Sequence, residues 1–194
     1  MAFRYDLRDY VKTYSVMSPE YCDSIIKIIG SEQFAPSWEK HTFYNPTNGS
    51  YGAKSGNDEL EVLSAFSTPE LNQTVWNTIH KYTLEDFADY KQWWDGWTGF
   101  SPPRMNRYSV GQTMAIHCDH IHSLFDGARK GIPVLTILGL LNDDFTGGEF
   151  KLFDNITMEF KKGDIMIFPS NFMFPHYVEP VKTGTRYSFV SWTW

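Results

Sequence analysis

Two regimes of hydrophobic patterning divide the chain. Up to about residue 100, apolar residues recur at helical spacing; from Pro103 onward they fall into short runs broken by turns. Ser18 is a suitable helix N-cap and Pro19 suits the first helical position. Cys22, Ile25, Ile26 and Ile29 then line one face, and Gly30 can end the helix. Before it, Tyr14 to Met17 reads as a short strand. Thr68 and Pro69 open a longer helix whose stripe is Leu71, Val75, Ile79, Tyr82, Asp86/Phe87 and Tyr90. That stripe loses its spacing at the end. Trp93, Trp94, Trp97 and Phe100 follow and suit a seam between helix and sheet, because large aromatic rings dominate burial. Residues 43–57 are rich in Asn, Gly, Ser, Tyr and Pro and read as a loop, either plain surface or a substrate lid.

The strand candidates beyond Pro103 are 104–109, 113–118, 134–141, 150–153, 157–160, 164–168, 176–178 and 185–192. Gly111, Asp126-Gly127, Thr146-Gly-Gly148, Asp154-Asn155 and Lys162-Gly163 separate them. Many short strands with regular turns predict a sandwich or barrel, and two Greek keys would make a jelly roll. The expected fold is mainly β with supporting helices (α+β). A jelly-roll core over 103–194 carries helical support from 1–100 packed on its major sheet. One domain, 1–194, suits a chain of 194 residues, of which 42% are hydrophobic and 17% aromatic.

Charge and cysteine content narrow the function classes. A formal net charge of −6 argues against a general phosphate-binding surface, so nucleic acid is not an expected partner. Cys22 and Cys118 show neither CxxC spacing nor a disulfide framework and suit free thiols of a reducing compartment. The charged N-terminal stretch lacks the apolar core of a signal peptide, and no run reaches membrane-spanning length. The expectation is a soluble, cytoplasmic protein with no membrane partner.

The chemistry gathers on Met114-Ala-Ile-His-Cys-Asp119. In a strand, residues i and i+2 point to the same face, so His117 and Asp119 can share one metal. His176, 57 residues after Asp119, would complete a two-histidine, one-carboxylate face with open positions, the ligand set of non-haem Fe(II) oxygenases. Arg186 follows ten residues later, and its planar fork suits a carboxylate. A zinc site on His120 and His122, which are i and i+2, is the competing reading. The strand is expected to end near Asp119, which favours histidines that face solvent or buttress the ligands.

On these residues the chain resembles the prolyl-4-hydroxylase branch of the Fe(II)/2-oxoglutarate dioxygenases, most densely from Asn106 to Trp194. Met17 to Ile26 also resembles the helix that opens many such domains. The resemblance implies a double-stranded β-helix core, Fe(II) on His117, Asp119 and His176, and 2-oxoglutarate as cosubstrate with dioxygen. It implies that Arg186 pairs with the distal carboxylate, that Tyr108 hydrogen-bonds the cosubstrate, and that Thr136 adds a hydroxyl to the same carboxylate. Trp192 would lie near the target residue, and ascorbate would serve as reductant. The Gly147-Gly148 pair would let the next strand pass close to the site. The implied reaction hydroxylates an unactivated C–H bond and releases succinate and CO2. The substrate would be a peptidyl proline or, alternatively, a free amino acid or other small metabolite. Pro133 stands where the family often has arginine and Leu140 where many members have tyrosine, which bears on substrate more than on chemistry. Nucleic-acid demethylases of this type usually carry a second arginine six residues after the first, where this chain has Trp192. A catalytically silent jelly-roll binding module is the reading from outside enzymology.

Overall fold

The computed structural model describes residues 6–45, 50–52, 59–64, 66–93, 99–119, 133–153 and 155–194. His120, His122, Arg129, Lys130, Trp94, Trp97, the Asp126-Gly127 turn and most of 43–57 lie outside them. The first half contributes β1 (Lys12–Ser15), α1 (Pro19–Ile29), β2 (Glu39–Lys40), β3 (Phe43–Asn45), β4 (Ser50–Gly52), β5 (Glu61–Leu63) and α2 (Pro69–His80). The second half is strand throughout: β6 (Arg104–Tyr108), β7 (Met114–His117), β8 (Leu135–Leu140), β9 (Thr146–Gly147), β10 (Phe150–Leu152) and β11 (Ile156–Thr157). It continues with β12 (Asp164–Pro169), β13 (His176–Val178), β14 (Val181–Thr183) and β15 (Arg186–Thr193).

Both helices start where the sequence places them. The Ser18 and Thr68 hydroxyls accept from the backbone N–H groups of Tyr21 and Leu71, each at 3.1 Å, satisfying donors that a helix start leaves orphaned. The second helix is not regular to its end. After His80 it widens into a π-helical turn, Lys81–Asp86, which rotates the following residues relative to a 3.6-residue repeat. The drift of the stripe after Tyr82 thus has a structural cause. Phe87 leaves the helix face and stacks on Tyr10, with ring centroids 5.6 Å apart. The 43–57 segment departs from a plain loop: Phe43–Asn45 pairs with Ser50–Gly52 as a two-stranded hairpin.

The major sheet has seven strands in the order β1-β12-β8-β15-β6-β5-β2, and the minor sheet has four, β11-β10-β13-β7. Alternation along the major strands sorts side chains into two layers. On the outer face, Leu135, Ile137, Ile165, Ile167, Phe189 and Met105 pack against Cys22, Ile25, Leu71, Val75 and Ile79 of the helices. Phe100 joins this layer and lies 6.2 Å from Trp76 between ring centroids, as a residue of the helix–sheet seam would. On the inner face, Tyr108, Met166 and Phe168 meet Phe150, Leu152, Met114 and Val178 of the minor sheet. Two antiparallel sheets closed over one apolar layer make the jelly roll. No helix among the described residues is long and apolar enough to cross a membrane.

Candidate active site

β7 and β13 are antiparallel neighbours, and their register sets His117 directly opposite His176. That one pairing brings together residues 59 positions apart in the chain. Asp119 follows β7 and turns its carboxylate to both rings. Its Oδ1 is 3.3 Å from His117 Nε2 and 3.7 Å from His176 Nε2. The ligand-type atoms of the three residues all lie within 4.8 Å of one another.

The tautomers of the two histidines follow from their other nitrogens. His117 Nδ1 lies 2.8 Å from the Ala115 carbonyl oxygen and His176 Nδ1 lies 3.0 Å from that of Phe174. A carbonyl only accepts, so each Nδ1 carries the proton and donates it. Each Nε2 is left as a lone pair aimed at Asp119. Two lone pairs and a carboxylate converging on one point form a cation site, and neutral imidazole with carboxylate oxygen suits Fe(II). His176 is buried against Phe168 and Phe150, with ring centroids 5.1 and 5.5 Å away. Burial, helped by His117 and opposed by Asp119, lowers its pKa to about 4 and keeps it neutral at pH 7. Burial pushes the Asp119 carboxyl the other way. His176 and His117, which act on it through their protonated forms, and a hydroxyl outweigh burial and hold Asp119 well below the usual carboxylate range.

That hydroxyl belongs to Thr136. Its Oγ1 donates to Asp119 Oδ2 at 2.6 Å and lies 2.8 Å from Ser170 Oγ. Thr136 has one proton and gives it to Asp119, so Ser170 must donate to Thr136. The chain Ser170→Thr136→Asp119 occupies one carboxylate oxygen and leaves the other for a metal. Thr136 stands behind Asp119: its register partner is Trp192, six residues along β15 from Arg186.

Arg186 opens β15 opposite Tyr108 and is 3% exposed. Its Nη1 donates to Ser188 Oγ at 2.7 Å, and its Cζ lies 5.0 Å from the Tyr108 ring centroid. Nε has no hydrogen-bond partner, and among the described residues no carboxylate pairs with the guanidinium. Burial lowers its pKa and Tyr108 opposes the shift, but an arginine stays charged. A buried cation without an anion is costly, and a ligand carboxylate removes the cost. The residues therefore fit 2-oxoglutarate as they fit iron. Gly148 makes the cradle: at φ 65°, a Cβ there would lie 3.1 Å from Arg186 Cδ. Gly147-Gly148 thus brings its turn close to the site, as expected. Glu149 is exposed at the strand edge.

Trp192 lies on the same inward row of β15, and its Nε1 is buried without a hydrogen-bond partner. Ser188, Asn106, Arg104 and Ser170 also belong to the site or its support, and sequence reasoning missed them. The signal was available for three: Ser188 shares the parity of Arg186, and Arg104 and Asn106 share that of Tyr108. Cys118 is partly buried, with its thiol 3.6 Å from the Phe172 carbonyl, and both cysteines are free.

A jelly roll with two histidines and a carboxylate at one point, and a buried arginine along the adjoining strand, defines the iron-dependent oxygenase type of site. Residues 103–194 match the model of the 2OG-Fe(II) oxygenase superfamily. A PKHD-type hydroxylase of Methylobacterium nodulans is 33% identical over 98 residues, covering 47% of this chain and 42% of its own length. One of Stenotrophomonas maltophilia is 32% identical over 98 residues, covering 48% and 43%. The matched region thus spans under half the length of these curated relatives. Among solved structures, a viral collagen prolyl hydroxylase from Paramecium bursaria Chlorella virus-1 superposes with a TM-score of 0.64 at 17% identity. That match covers 95% of this chain and 94% of the other. A Pseudomonas putida prolyl-4-hydroxylase gives 0.63 at 13% identity, covering 95% and 91%. At such identities the likeness is one of fold, a double-stranded β-helix. Residues 103–194 are thus similar to the 2OG-Fe(II) oxygenase superfamily, on a fold that the chain shares with prolyl hydroxylases.

Proposed function

We propose that the protein is an Fe(II)- and 2-oxoglutarate-dependent hydroxylase acting on a prolyl residue of a peptide. One observation carries the reading: two imidazole lone pairs and a carboxylate converge beside a buried arginine with no carboxylate partner among the described residues. His117, Asp119 and His176 hold the iron. Arg186, oriented by Ser188 and backed by Tyr108, grips the distal carboxylate of 2-oxoglutarate. Iron and 2-oxoglutarate together supply the oxidant that places one atom of O2 on a C–H bond, with succinate and CO2 released. The protein's own work is orientation and exclusion of water. The Phe150 and Phe168 rings dry the His176 side, Thr136 fixes Asp119, and Trp192 flanks the substrate approach. Ascorbate serves as reductant in side turnover.

The test is succinate formation by the purified protein with Fe(II), ascorbate and 2-oxoglutarate, with and without a proline-rich peptide pool. The reading expects peptide-stimulated succinate and a mass gain of one oxygen on a prolyl residue. Iron-dependent succinate with no peptide response moves the substrate to a free amino acid or other small metabolite. A second cation, Arg104, favours that alternative.

A further inference from the structure

The inward row of β6 reads Arg104, Asn106, Tyr108, and it faces the same space as Arg186, Ser188 and Trp192 of β15. Tyr108 and Arg186 hold one end of this row. Arg104 stands four residues away, roughly 13 Å along the strand at about 3.3 Å per residue. It pairs with Val190, beside the level where Thr136 and Trp192 flank Asp119. The two arginines therefore serve opposite ends of the site.

Arg104 is held by stacking, not by an ion pair. Its Cζ sits 5.2 Å from the Trp192 ring centroid. Its Nε is buried without a hydrogen-bond partner, and no carboxylate among the described residues forms a salt bridge with it. Asn106 Oδ1 next to it is buried and likewise unpartnered. Arg107 shows the contrast. It faces the other side of β6, bonds Glu61 at 2.9 Å and stacks on Trp38, as a structural arginine does. The 2-oxoglutarate dianion answers Arg186 with one carboxylate and brings the other to the metal. Asp119 lies close enough to Arg104 to act on it electrostatically, but its free oxygen faces the two histidines. Among the described residues the Arg104 charge has no ion-pair partner.

We infer that Arg104, stacked on Trp192, is a carboxylate-binding subsite for the substrate on the metal side of the pocket. The substrate class is a carbon acid bearing a carboxylate near the reacting carbon: the α-carboxylate of a free amino acid, or an acidic side chain beside the target residue of a peptide. This rests on the hydroxylase reading and specifies the recognition element of the same site. A guanidinium held over an indole ring can still present an N–H edge to a bidentate carboxylate.

The test uses the protein loaded with Mn(II) and 2-oxoglutarate, which binds without turning over, in isothermal titration calorimetry. The probes are a pool of the L-amino acids against a pool of their amides, and a glutamyl-prolyl peptide against its glutaminyl-prolyl twin. In the wild type, the carboxylate member of one pair should bind at least tenfold more tightly, and that pair identifies the source of the carboxylate. Arg104→Met should abolish the preference and leave 2-oxoglutarate affinity unchanged, which also verifies the fold. Arg104→Lys should retain part of the preference. Equal binding or none within both pairs, or a preference that survives Arg104→Met, overturns the subsite. So does a loss of 2-oxoglutarate affinity in Arg104→Met, which would give the arginine to the cosubstrate. A wild type that fails to bind 2-oxoglutarate refutes the hydroxylase reading itself, which is a different result.

Discussion

Asp119 shows how much a single hydroxyl can decide. With Oδ2 anchored by Thr136, Asp119 would offer a metal its Oδ1 alone. Thr136→Val keeps the shape and deletes the donor. Metal affinity measured by Mn(II) titration should fall by about 10–100-fold, as loss of a partner behind a metal ligand typically costs, while the thermal melt shows a folded protein. Unchanged affinity would remove Thr136 from the site. At the other end, Arg186→Ala should weaken 2-oxoglutarate binding by about 1.5–3 kcal/mol, roughly ten- to hundredfold, and leave Mn(II) affinity intact. Equal loss of both ligands would mean that the residue supports the fold and not the cosubstrate. His41 belongs to the same scale. Burial first, then the charges of Arg104 and His117, lower its pKa to about 4, below the ordinary value of 6.5. The unfolded chain binds this proton below pH 6.5 and the folded chain does not until about pH 4, so stability falls as pH drops through that window. His176 acts in the same direction. The melting temperature of the metal-free protein should fall between pH 7 and pH 4.5, and His41→Gln should flatten the slope. A slope identical to wild type would contradict the burial argument for His41.

At the level of elements, the strands that carry the site were more legible than those that frame it. The pattern 176–178 coincides with β13, and 104–109 and 185–192 match β6 and β15 within a residue. The strand expected at 157–160 lies instead at Ile156–Thr157, where only two residues pair. β2, β5, β9 and β14 have two or three residues each, too few to show a period. The same alternation that placed Arg186 inward could have distinguished Arg104 from Arg107. The side chain that Thr136 meets was hidden in the sequence. Which end of β15 lies beside β8 is a matter of register, which a single sequence does not carry. Gly139 is another register fact: it faces Phe189, and a Cβ there would come within 2.0 Å of the ring. The ring is fully buried between sheet and helices and has nowhere to move. Gly139→Ala should cost about 1–3 kcal/mol, read as a drop of several degrees in Tm. A melt within one degree of wild type would show that the outer layer repacks freely.

The whole molecule separates stability from chemistry by layer. The outer face of the major sheet is closed by α1 and α2 with apolar residues, while the inner face carries Arg104, Arg186 and Thr136 on three strands and meets the histidines of the minor sheet. Substitutions on the outer layer should act through melting temperature and those on the inner layer through ligand affinity. The topology also sets an order in time. β15 stands between β8 and β6, and the groups β1-β12-β8 and β6-β5-β2 meet only through it. Both neighbours leave the ribosome before it does. Until it inserts, two half-sheets carry open edges, the state most exposed to wrong pairing. Its insertion closes the sheet and in the same movement brings Arg186, Ser188 and Trp192 into the pocket. The same strand thus seals the last open seam and completes the arginine row, and a trapped half-sheet intermediate would lack Arg186, Ser188 and Trp192 at the pocket without any chemical lesion.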